Sequence, residues 1–436
     1  MRLEIIQLGP IKNLGIDIKD FNVIIGEQAT GKSTICKAVY FFRKFPERLV
    51  EYITKIYTFS DIRWAKNEFT QVVTDDLRQM FGYRSIYMTC EYSKSISVEV
   101  SLYEREPVTI KYSDALEGDV GSWETEAQEY LKDLEPYVEK LSDVRESVFR
   151  EEDSYIERAI YKVFGDSKHT YYIPAGRSTL ALLSQQKTKL DYGSIDFINR
   201  EYMRLIESLQ GRYDSGIGMA QYRFNGSRRS DSQAGKLTEG ANDIKRMLKG
   251  DYLYIQGGQM LVLDDGVTLD IRNISSGQQE LLWMLLELYS LMILGEGAFV
   301  IIEEPEAHIY PSLQFEVLQF IVRFSNITGS SVLITTHSPY MLTGTNVLQY
   351  AGRLYQSDAC KMDLMDVISS ENTISPKKLY SCKLSIDAES QKTICDNLYD
   401  DMDGEMLTEQ IDGVSDEISE LYYKLYYLEK EHADSE

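Results

Sequence analysis

A glycine-rich segment near the start of the chain carries residue types that bind a polyphosphate. It has the pattern G-x-x-x-x-G-K-S and lies between an apolar strand-like run, 21–25, and a helix-like run, 34–40. In such a loop, backbone N–H groups and a helix N-terminus surround phosphate oxygens, a lysine reaches the β- and γ-phosphates, and a serine hydroxyl can bind Mg²⁺. An ordinary glycine turn is the alternative, but the strand–loop–helix setting favours a nucleoside triphosphate site. The candidate residues are Gly26, Glu27, Gln28, Ala29, Thr30, Gly31, Lys32, Ser33 and Thr34.

Two carboxylates follow an apolar run in the second half of the chain. Residues 299–302 are fully apolar, as expected of a buried parallel strand, and they lead directly into Glu303 and Glu304. Ligands of open α/β sheets bind at the carboxyl ends of the strands. We therefore predict that Glu303 binds Mg²⁺ together with Ser33, and that Glu304 is the general base for a water molecule. A surface acidic turn is the alternative.

A histidine and a serine-containing turn mark two further points where a ligand could bind. His337 follows the apolar run 331–335 and is well placed to contact a γ-phosphate or the attacking water, although a lone histidine more often serves packing. Upstream, a Ser-Ser-Gly turn opens a helical run and would present N–H groups and hydroxyls to an anion. A helix N-cap without a ligand would give the same pattern. The candidates in this turn are Ser275, Ser276, Gly277 and Gln278.

Composition limits the class of protein. The chain has 436 residues, 43% of them hydrophobic, which is enough for two or three domains. We expect no transmembrane helix and no signal peptide. Five scattered cysteines without a C-x-x-C pair favour reduced thiols in a cytoplasmic protein over disulfides or zinc. A net charge of −23 argues against nucleic acid as a partner, although the basic segment 223–249 leaves open a local nucleic-acid track beside the simpler interpretation as solvated surface.

Together these motifs resemble the ABC-class ATPases of the SMC and double-strand-break-repair type. More narrowly, the chain resembles the ATPase half of OLD-family proteins and their relatives in bacterial anti-phage defence, such as the ATPase subunits of PARIS- and Septu-like systems. Residues 26–33 match the Walker A motif, 274–278 look like the ABC signature, and 299–311 look like Walker B with the D-loop. Residues 335–339 look like the switch-histidine motif, and 172–177 are similar to a strand that this family places between lobes.

The resemblance implies that ATP joins two copies of the head. In such ATPases the signature motif contacts the γ-phosphate held by the phosphate loop of a second head, so Ser275 would complete the site of a neighbouring copy. Lys32, Glu304 and His337 would then be the catalytic residues of a Mg²⁺-dependent ATP hydrolase, acting as a homodimer or higher homo-oligomer with ATP between the heads.

Two features depart from the family pattern. The usual Walker B aspartate is Glu303 here, as in OLD relatives. A Q-loop glutamine has no clear position, and the candidates left open are Gln185, Gln186 and Arg177.

The expected fold class is α/β, an ABC-type P-loop ATPase head with a β-rich insertion and a helical signature lobe. The insertion is predicted to be a β-meander, then a glycine-containing turn at 117–121, then helices over 123–164. The predicted divisions are 1–45 and 170–350 for the head, with 196–290 as its signature lobe, 46–169 for the insertion, and 351–436 for a C-terminal helical tail that could be an interaction region.

The leading functional hypothesis is a regulatory ATPase of an anti-phage defence complex that controls a separate nuclease or toxin. Asp401 and Asp403 resemble a Toprim nuclease motif, but no apolar strand precedes them, so we interpret them as a polar turn. An amphipathic, tyrosine-rich stripe at 407–428 could serve a protein interface or core packing. The alternatives are a DNA-engaged repair or maintenance ATPase and a nucleotide-gated scaffold with little turnover. An ABC transporter subunit is disfavoured by the long insertions.

Overall fold

The computed structural model describes residues 1–59, 61–82, 85–134, 155–184, 195–224, 231–255, 258–356, 364–390 and 392–398. In these ranges the strands are β1 (Arg2–Leu8), β2 (Ile11–Asp17), β3 (Phe21–Gly26), β4 (Ser85–Glu91), β5 (Ser97–Tyr103), β6 (Thr109–Tyr112), β7 (His169–Ile173), β8 (Gly250–Ile255), β9 (Gly258–Leu263), β10 (Thr268–Asp270), β11 (Ala298–Glu303), β12 (Ser331–Thr336), β13 (Leu379–Ile386) and β14 (Thr393–Asn397). The α-helices are α1 (Lys32–Phe59), α2 (Ile62–Phe81), α3 (Asp114–Leu134), α4 (155–164), α5 (Arg177–Ser184), α6 (Phe197–Gln210), α7 (Ile217–Phe224), α8 (Asp231–Leu248), α9 (Ser276–Leu294), α10 (Pro311–Thr328) and α11 (Pro339–Leu354).

A six-stranded sheet in the order β14-β13-β3-β12-β11-β7 forms the centre of the fold. Its strands are parallel except β14, which pairs antiparallel with β13. All six residues of β3, of β11 and of β12 are buried, which explains why these strands form continuous apolar runs in the sequence. The phosphate loop, the Glu303–Glu304 pair and His337 all follow carboxyl ends of these parallel strands and therefore share one edge of the sheet.

Alternating side chains of the central sheet serve two separate cores. Val23 and Val300 face one core, which is completed by helices α5 to α11. Ile24 and Ile301 face the other, where α1 packs against the sheet and against a second, five-stranded sheet. The period of two along each strand thus places helices on one face, and α1 with more β-structure on the other.

The second sheet is antiparallel and has the order β2-β1-β4-β5-β6. The meander predicted within the insertion is present as β4, β5 and β6, but it pairs through β4 with the N-terminal strand β1. Helix α1 also crosses the predicted division at residue 45, with Pro46 in its interior. Proline at this position deprives the Phe42 carbonyl of its helical donor, and the Tyr92 hydroxyl donates to that carbonyl instead, at 2.5 Å. Residues of the predicted insertion and of the predicted head therefore share one sheet and one helix.

The predicted signature lobe contains helices α6 to α8, a small antiparallel sheet and the first part of α9. The sequence predicts a hairpin over 253–271 that turns at 264–266; the structure has this turn between β9 and β10, and β8 pairs with the other side of β9 to make a three-stranded sheet in the order β10-β9-β8. Helix α9 is buried at every position from 280 to 293, because it runs between the lobe and the central sheet. With the central sheet and the β-rich insertion, this lobe confirms the predicted fold class.

Two predictions on secondary structure are wrong. Residues 117–121 are not a turn but part of α3, in which Leu116, Val120, Trp123 and Ala127 form one buried stripe. The tail from 351 is not simply helical, because it contributes β13 and β14 to the central sheet. The stripe at 407–428, the Asp401–Asp403 motif, and Gln185 and Gln186 lie outside the described residues.

Candidate nucleotide site

The phosphate loop leaves β3 at Gly26 and enters α1 at Lys32. Ala29 and Gly31 have left-handed φ angles of 63° and 98°. A Cβ on Gly31 would lie 2.9 Å from Ile11 Cδ1, and one on Gly26 would collide with the Leu384 carbonyl oxygen. Glycine is required at both ends of the loop, since each backbone passes against neighbouring strands.

Lys32 is the buried cation of the loop, with 6% of its surface exposed. Its Nζ donates to the carbonyl oxygens of Gly26 and Glu27, both at 2.7 Å, and lies 3.4 Å from Nδ1 of His337. Burial lowers the pKa of the Lys32 ammonium, and nearby carboxylates act in the opposite direction. The cation is thus held at the loop by backbone carbonyls, within reach of the histidine after β12.

The two carboxylates after β11 have different environments. Glu303 is buried; one oxygen, Oε2, accepts from the Ala175 N–H at 3.2 Å, while Oε1 has no hydrogen-bond partner in the described part of the chain. Glu304 is partly exposed and has a left-handed φ of 44°. Its Oε1 lies 3.3 Å from Nε2 of His337. One carboxylate is therefore buried with an unused oxygen, and the other is aimed at the histidine.

A third carboxylate, Glu306, fixes the turn that carries the histidine. Its Oε1 accepts from the Thr336 hydroxyl at 2.6 Å and from the His337 backbone N–H at 2.7 Å. The sequence places Glu306 in the acidic run but assigns it no role. The sequence feature that could have indicated a role for Glu306 is its position two residues after Glu304, with the rigid Pro305 between them.

The Ser-Ser-Gly turn is a capped helix start. Ser275 is the N-cap of α9, and it forms a capping box with Gln278. Both Ser275 and Ser276 are exposed. A Cβ on Gly277 would lie 2.8 Å from the His308 carbonyl oxygen, so this glycine allows the helix start to pack on the segment after β11.

A scan against protein-family models matches residues 21–343 to the family described as "AAA domain, putative AbiEii toxin, Type IV TA system". The chain belongs to this AAA family. The family match supports a P-loop ATPase domain of the AAA type, and the matched residues include the glycine-rich segment 26–33.

Solved structures similar to this AAA-family chain include three heads of SMC proteins. One is an Smc head bound to the C-winged helix domain of ScpA, at 10% identity and a TM-score of 0.39, covering 92% of this chain and 98% of that one. Another is the SMC head domain from Thermotoga maritima, at 10% identity and a TM-score of 0.37, with the same coverages. The third is a Pyrococcus furiosus Smc head with an extended coiled coil bound to the C-terminal domain of ScpA, at 11% identity and a TM-score of 0.35, covering 96% and 98%. No curated protein sequence matches the chain.

In the AAA-family chain, the sequence-predicted residues fall into two groups. Lys32, Glu304 and His337 come together at one sheet edge through contacts of 3.3 and 3.4 Å. Glu303 is the last residue of β11 beside them, and the Ser33 hydroxyl is exposed in the first turn of α1. The turn 275–278 is separate: in the described part of the chain, no hydrogen bond joins it to the phosphate loop.

Two contacts of the site lie beyond what the sequence indicates. Thr393, at the start of β14, donates to the Thr30 carbonyl of the phosphate loop at 3.2 Å. Arg177, considered as a Q-loop residue, is fully buried, and its guanidinium donates to backbone carbonyls behind the site. Both depend on pairings between distant segments, for which a single sequence carries little signal.

The basic segment noted in the sequence lies partly in α8, where its side chains meet acidic partners. Basic residues of α8 are paired with acids: Lys236 with Glu371 at 2.6 Å, and Lys245 with Asp251 at 2.5 Å.

Among helices in the described part of the chain, none combines the length and apolar character needed to span a bilayer. The described cysteines are free thiols: Cys36, Cys90, Cys382 and Cys395.

Proposed function

We propose that this chain is a Mg²⁺-dependent ATP hydrolase. The observation that carries the proposal is the line of three groups from Lys32 Nζ through the His337 ring to Glu304 Oε1. These residues come from a phosphate loop and from two strand ends, and they supply a cation, an imidazole and a carboxylate to one point.

Each of the three groups has a distinct role in the proposal. Lys32 stabilises charge on the β- and γ-phosphates. Glu304 accepts a proton from the attacking water, and His337, whose backbone N–H is fixed by Glu306, contacts the γ-phosphate or that water. Gly26 to Thr34 provide the surrounding backbone N–H groups.

The donor set fits Mg²⁺. Buried Oε1 of Glu303 has no hydrogen-bond partner in the described residues, and Ser33 is an exposed residue at the end of the loop. Magnesium keeps several waters and usually takes only one or two protein oxygens beside the phosphates. Bound there by Ser33 and Glu303, it would neutralise charge on the phosphate oxygens.

The test is ATP turnover of the purified chain with and without Mg²⁺. Lys32→Ala should weaken ATP binding and turnover together, whereas Glu304→Gln should keep ATP affinity and lose turnover by about 10²- to 10⁴-fold, the range for general-base removal. Lys55→Ala and Glu68→Gln are matched controls, because they remove the same groups from an ion pair between α1 and α2. Unchanged turnover in both site variants would refute the assignments.

We propose that the turn 275–278 of one copy contacts ATP held by the phosphate loop of a second copy, so that ATP joins two heads. Its serines are exposed at a helix N-terminus, where N–H groups and the helix dipole favour an anion. The lobe spanning 196–290 would present this turn to a second copy, in a homodimer or larger assembly. Light scattering should find the Glu304→Gln variant as a monomer without nucleotide and as a dimer with ATP; a mass unchanged by ATP would contradict this assignment.

The cellular role we infer is a cytoplasmic regulatory subunit of an anti-phage defence system that controls a separate nuclease or toxin. Its support is the motif resemblance and the family description, which names a toxin of a toxin–antitoxin system. Cells carrying the chain with its neighbouring genes should resist phage, and Lys32→Ala should abolish resistance at equal expression. The DNA-engaged alternative gains no support from α8, whose Lys236 and Lys245 are paired with acids; tight, salt-sensitive DNA binding would favour it instead.

A further inference from the structure

A single buried arginine connects the strand that carries the carboxylates to two helices. Arg177 is 0% exposed. Its Nη1 donates to the carbonyl oxygens of Pro174 at 3.1 Å and Glu303 at 2.6 Å, its Nη2 to that of Glu304 at 2.8 Å, and its Nε to that of Glu280 at 2.9 Å. The planar guanidinium therefore bonds to three chain segments at once, a geometry that a lysine ammonium does not match.

The partner that neutralises this arginine comes from the signature helix. Glu280, in the second turn of α9, is buried, and its Oε2 lies 3.3 Å from Nε of Arg177. The same carboxylate accepts from the backbone N–H groups of Arg177 and Ser178 and from the Ser178 hydroxyl, at 2.7 to 3.2 Å. Glu280 thus satisfies the start of α5 while it pairs with the guanidinium.

The arginine holds a residue whose backbone is strained. Glu304 has a φ of 44°, in the left-handed region that non-glycine residues seldom occupy. Its N–H donates to the Thr335 carbonyl at 2.8 Å, and its own carbonyl accepts from Arg177. Such a conformation persists only where surrounding contacts enforce it. Here it directs the side chain of Glu304 toward His337.

We propose that Arg177 is a positioning residue, which, with Glu280, holds Glu304 in its strained conformation and ties it to the start of the signature helix. The proposal rests on the proposed ATP hydrolysis and adds to it a connection between the two parts of the site. A shift of α9 on engagement of the turn 275–278 would reach Glu304 through Glu280 and Arg177, without passing through the nucleotide.

The decisive kinetic experiment is a double-mutant cycle. Arg177→Lys keeps the charge but not the four carbonyl contacts, so we expect kcat to fall by about 30-fold while KM for ATP changes by less than about threefold. In the Glu304→Gln background the same change should lower turnover by less than about threefold, because Arg177 acts through Glu304. A full 30-fold loss in that background, or a KM that rises with the loss of kcat, would overturn the proposal.

A second measurement does not depend on turnover. Amide hydrogen exchange at Glu304 should become about tenfold faster or more in Arg177→Lys, because the contacts that hold that backbone open more often. Glu280→Gln, a milder variant with the same shape, should accelerate exchange at both Ser178 and Glu304. Unchanged exchange at Glu304 in these variants would overturn the inference even if the wild-type chain hydrolyses ATP.

The matched control is Arg323→Lys, since Arg323 is a second, partly buried arginine with an acid and an amide as partners, Asp243 and Asn372, away from the site. It should change neither kcat nor exchange at Glu304. A wild-type chain without ATP turnover would refute the proposed function, and the exchange result would still decide the role of Arg177.

Discussion

Two regions differ in how their polar groups are satisfied: the edge of the central sheet that carries the phosphate loop, and the turn 275–278 at the start of α9. At the first, Ala29 and Glu304 have left-handed backbones, and Glu303 Oε1 is buried without a partner in the described residues. At the second, Ser275 and Gln278 satisfy each other in a closed capping box with ordinary backbone angles. The sheet edge therefore has an unpaired carboxylate oxygen and strained backbone, whereas the turn 275–278 has its own hydrogen bonds and ordinary backbone angles.

This difference has a consequence for how each region would meet a ligand. Strain and unpaired groups are retained where a site is built in advance, as at the edge that holds Lys32. A self-satisfied turn can remain exposed to water without cost until an anion is brought to it. The contrast accords with our proposal that the turn of one copy meets ATP held by another.

The largest expected effect is a recovery of activity on mixing two inactive variants. Lys32→Ala disables the loop and Ser275→Arg blocks the turn, and each alone should lower turnover by about 100-fold or more. If the turn acts on a neighbouring copy, half the dimers in an equal mixture contain one intact site. The mixture should then reach about one quarter of the wild-type rate, for a symmetric dimer.

The control for this mixture is the double variant, Lys32→Ala with Ser275→Arg in one chain, mixed with wild type. It disables both sites whenever it is paired with a wild-type copy, so an equal amount of it should lower the activity of the wild-type chain to about half. No recovery in the mixture of single variants would mean that the turn serves its own chain or no nucleotide at all.

A second prediction concerns a buried carboxylate in the interior of α9 rather than the start of that helix. Glu287 on α9 is buried, and burial raises its pKa from 4.5 to about 7. The folded chain therefore holds a proton at pH values where the unfolded chain releases it, so this residue reduces stability as pH rises from about 4.5 to 7. Glu287→Gln should be more stable than wild type by up to about 3 kcal/mol at pH 8 and by little at pH 5.

Urea unfolding at the two pH values measures this difference. Glu296→Gln removes an exposed carboxylate just beyond α9 and should keep the wild-type pH dependence, because Glu287 is intact. An equal gain at both pH values in Glu287→Gln would mean that packing, not the buried charge, decides the effect.

The smallest expected effect tests the capping box itself. Ser275→Ala removes the N-cap hydroxyl of α9 and should lower the free energy of unfolding by about 1 kcal/mol without nucleotide. Ser276→Ala, on the next exposed serine, should change it by less than about 0.5 kcal/mol. If chemical denaturation gave equal losses in the free energy of unfolding for both variants, the capping box would not be what stabilises the turn. The contrast drawn between the two regions would then be wrong.

The central strands and the three converging groups could be predicted from sequence. Strands β3, β11 and β12 are buried on both faces, so they read as short apolar runs, and parallel strands bring their carboxyl ends to one edge. That reasoning alone brings Lys32, Glu304 and His337 together. The role of Ser275 as a helix cap was left open by the sequence, and the structure shows it.

The parts that could not be predicted depend on contacts between distant segments. The predicted division at residue 45 falls inside α1, which continues through Pro46, where Tyr92 replaces the missing donor. Strand β13 has eight residues, with polar residues among its apolar ones, so its place beside β3 is decided by pairing rather than by pattern. Likewise, nothing in the local sequence shows that Arg177 and Glu280 meet.

The place of β13 against β3 bears on how the chain can be shortened. A version ending at 350, the predicted division, would expose the full hydrogen-bonding side of β3, a six-residue strand whose N–H and C=O groups on that side would lose their partners in β13. Such an uncovered edge invites pairing with other molecules. We expect that version to aggregate during purification, while one ending at residue 398 should remain dispersed and keep its phosphate loop supported by Thr393.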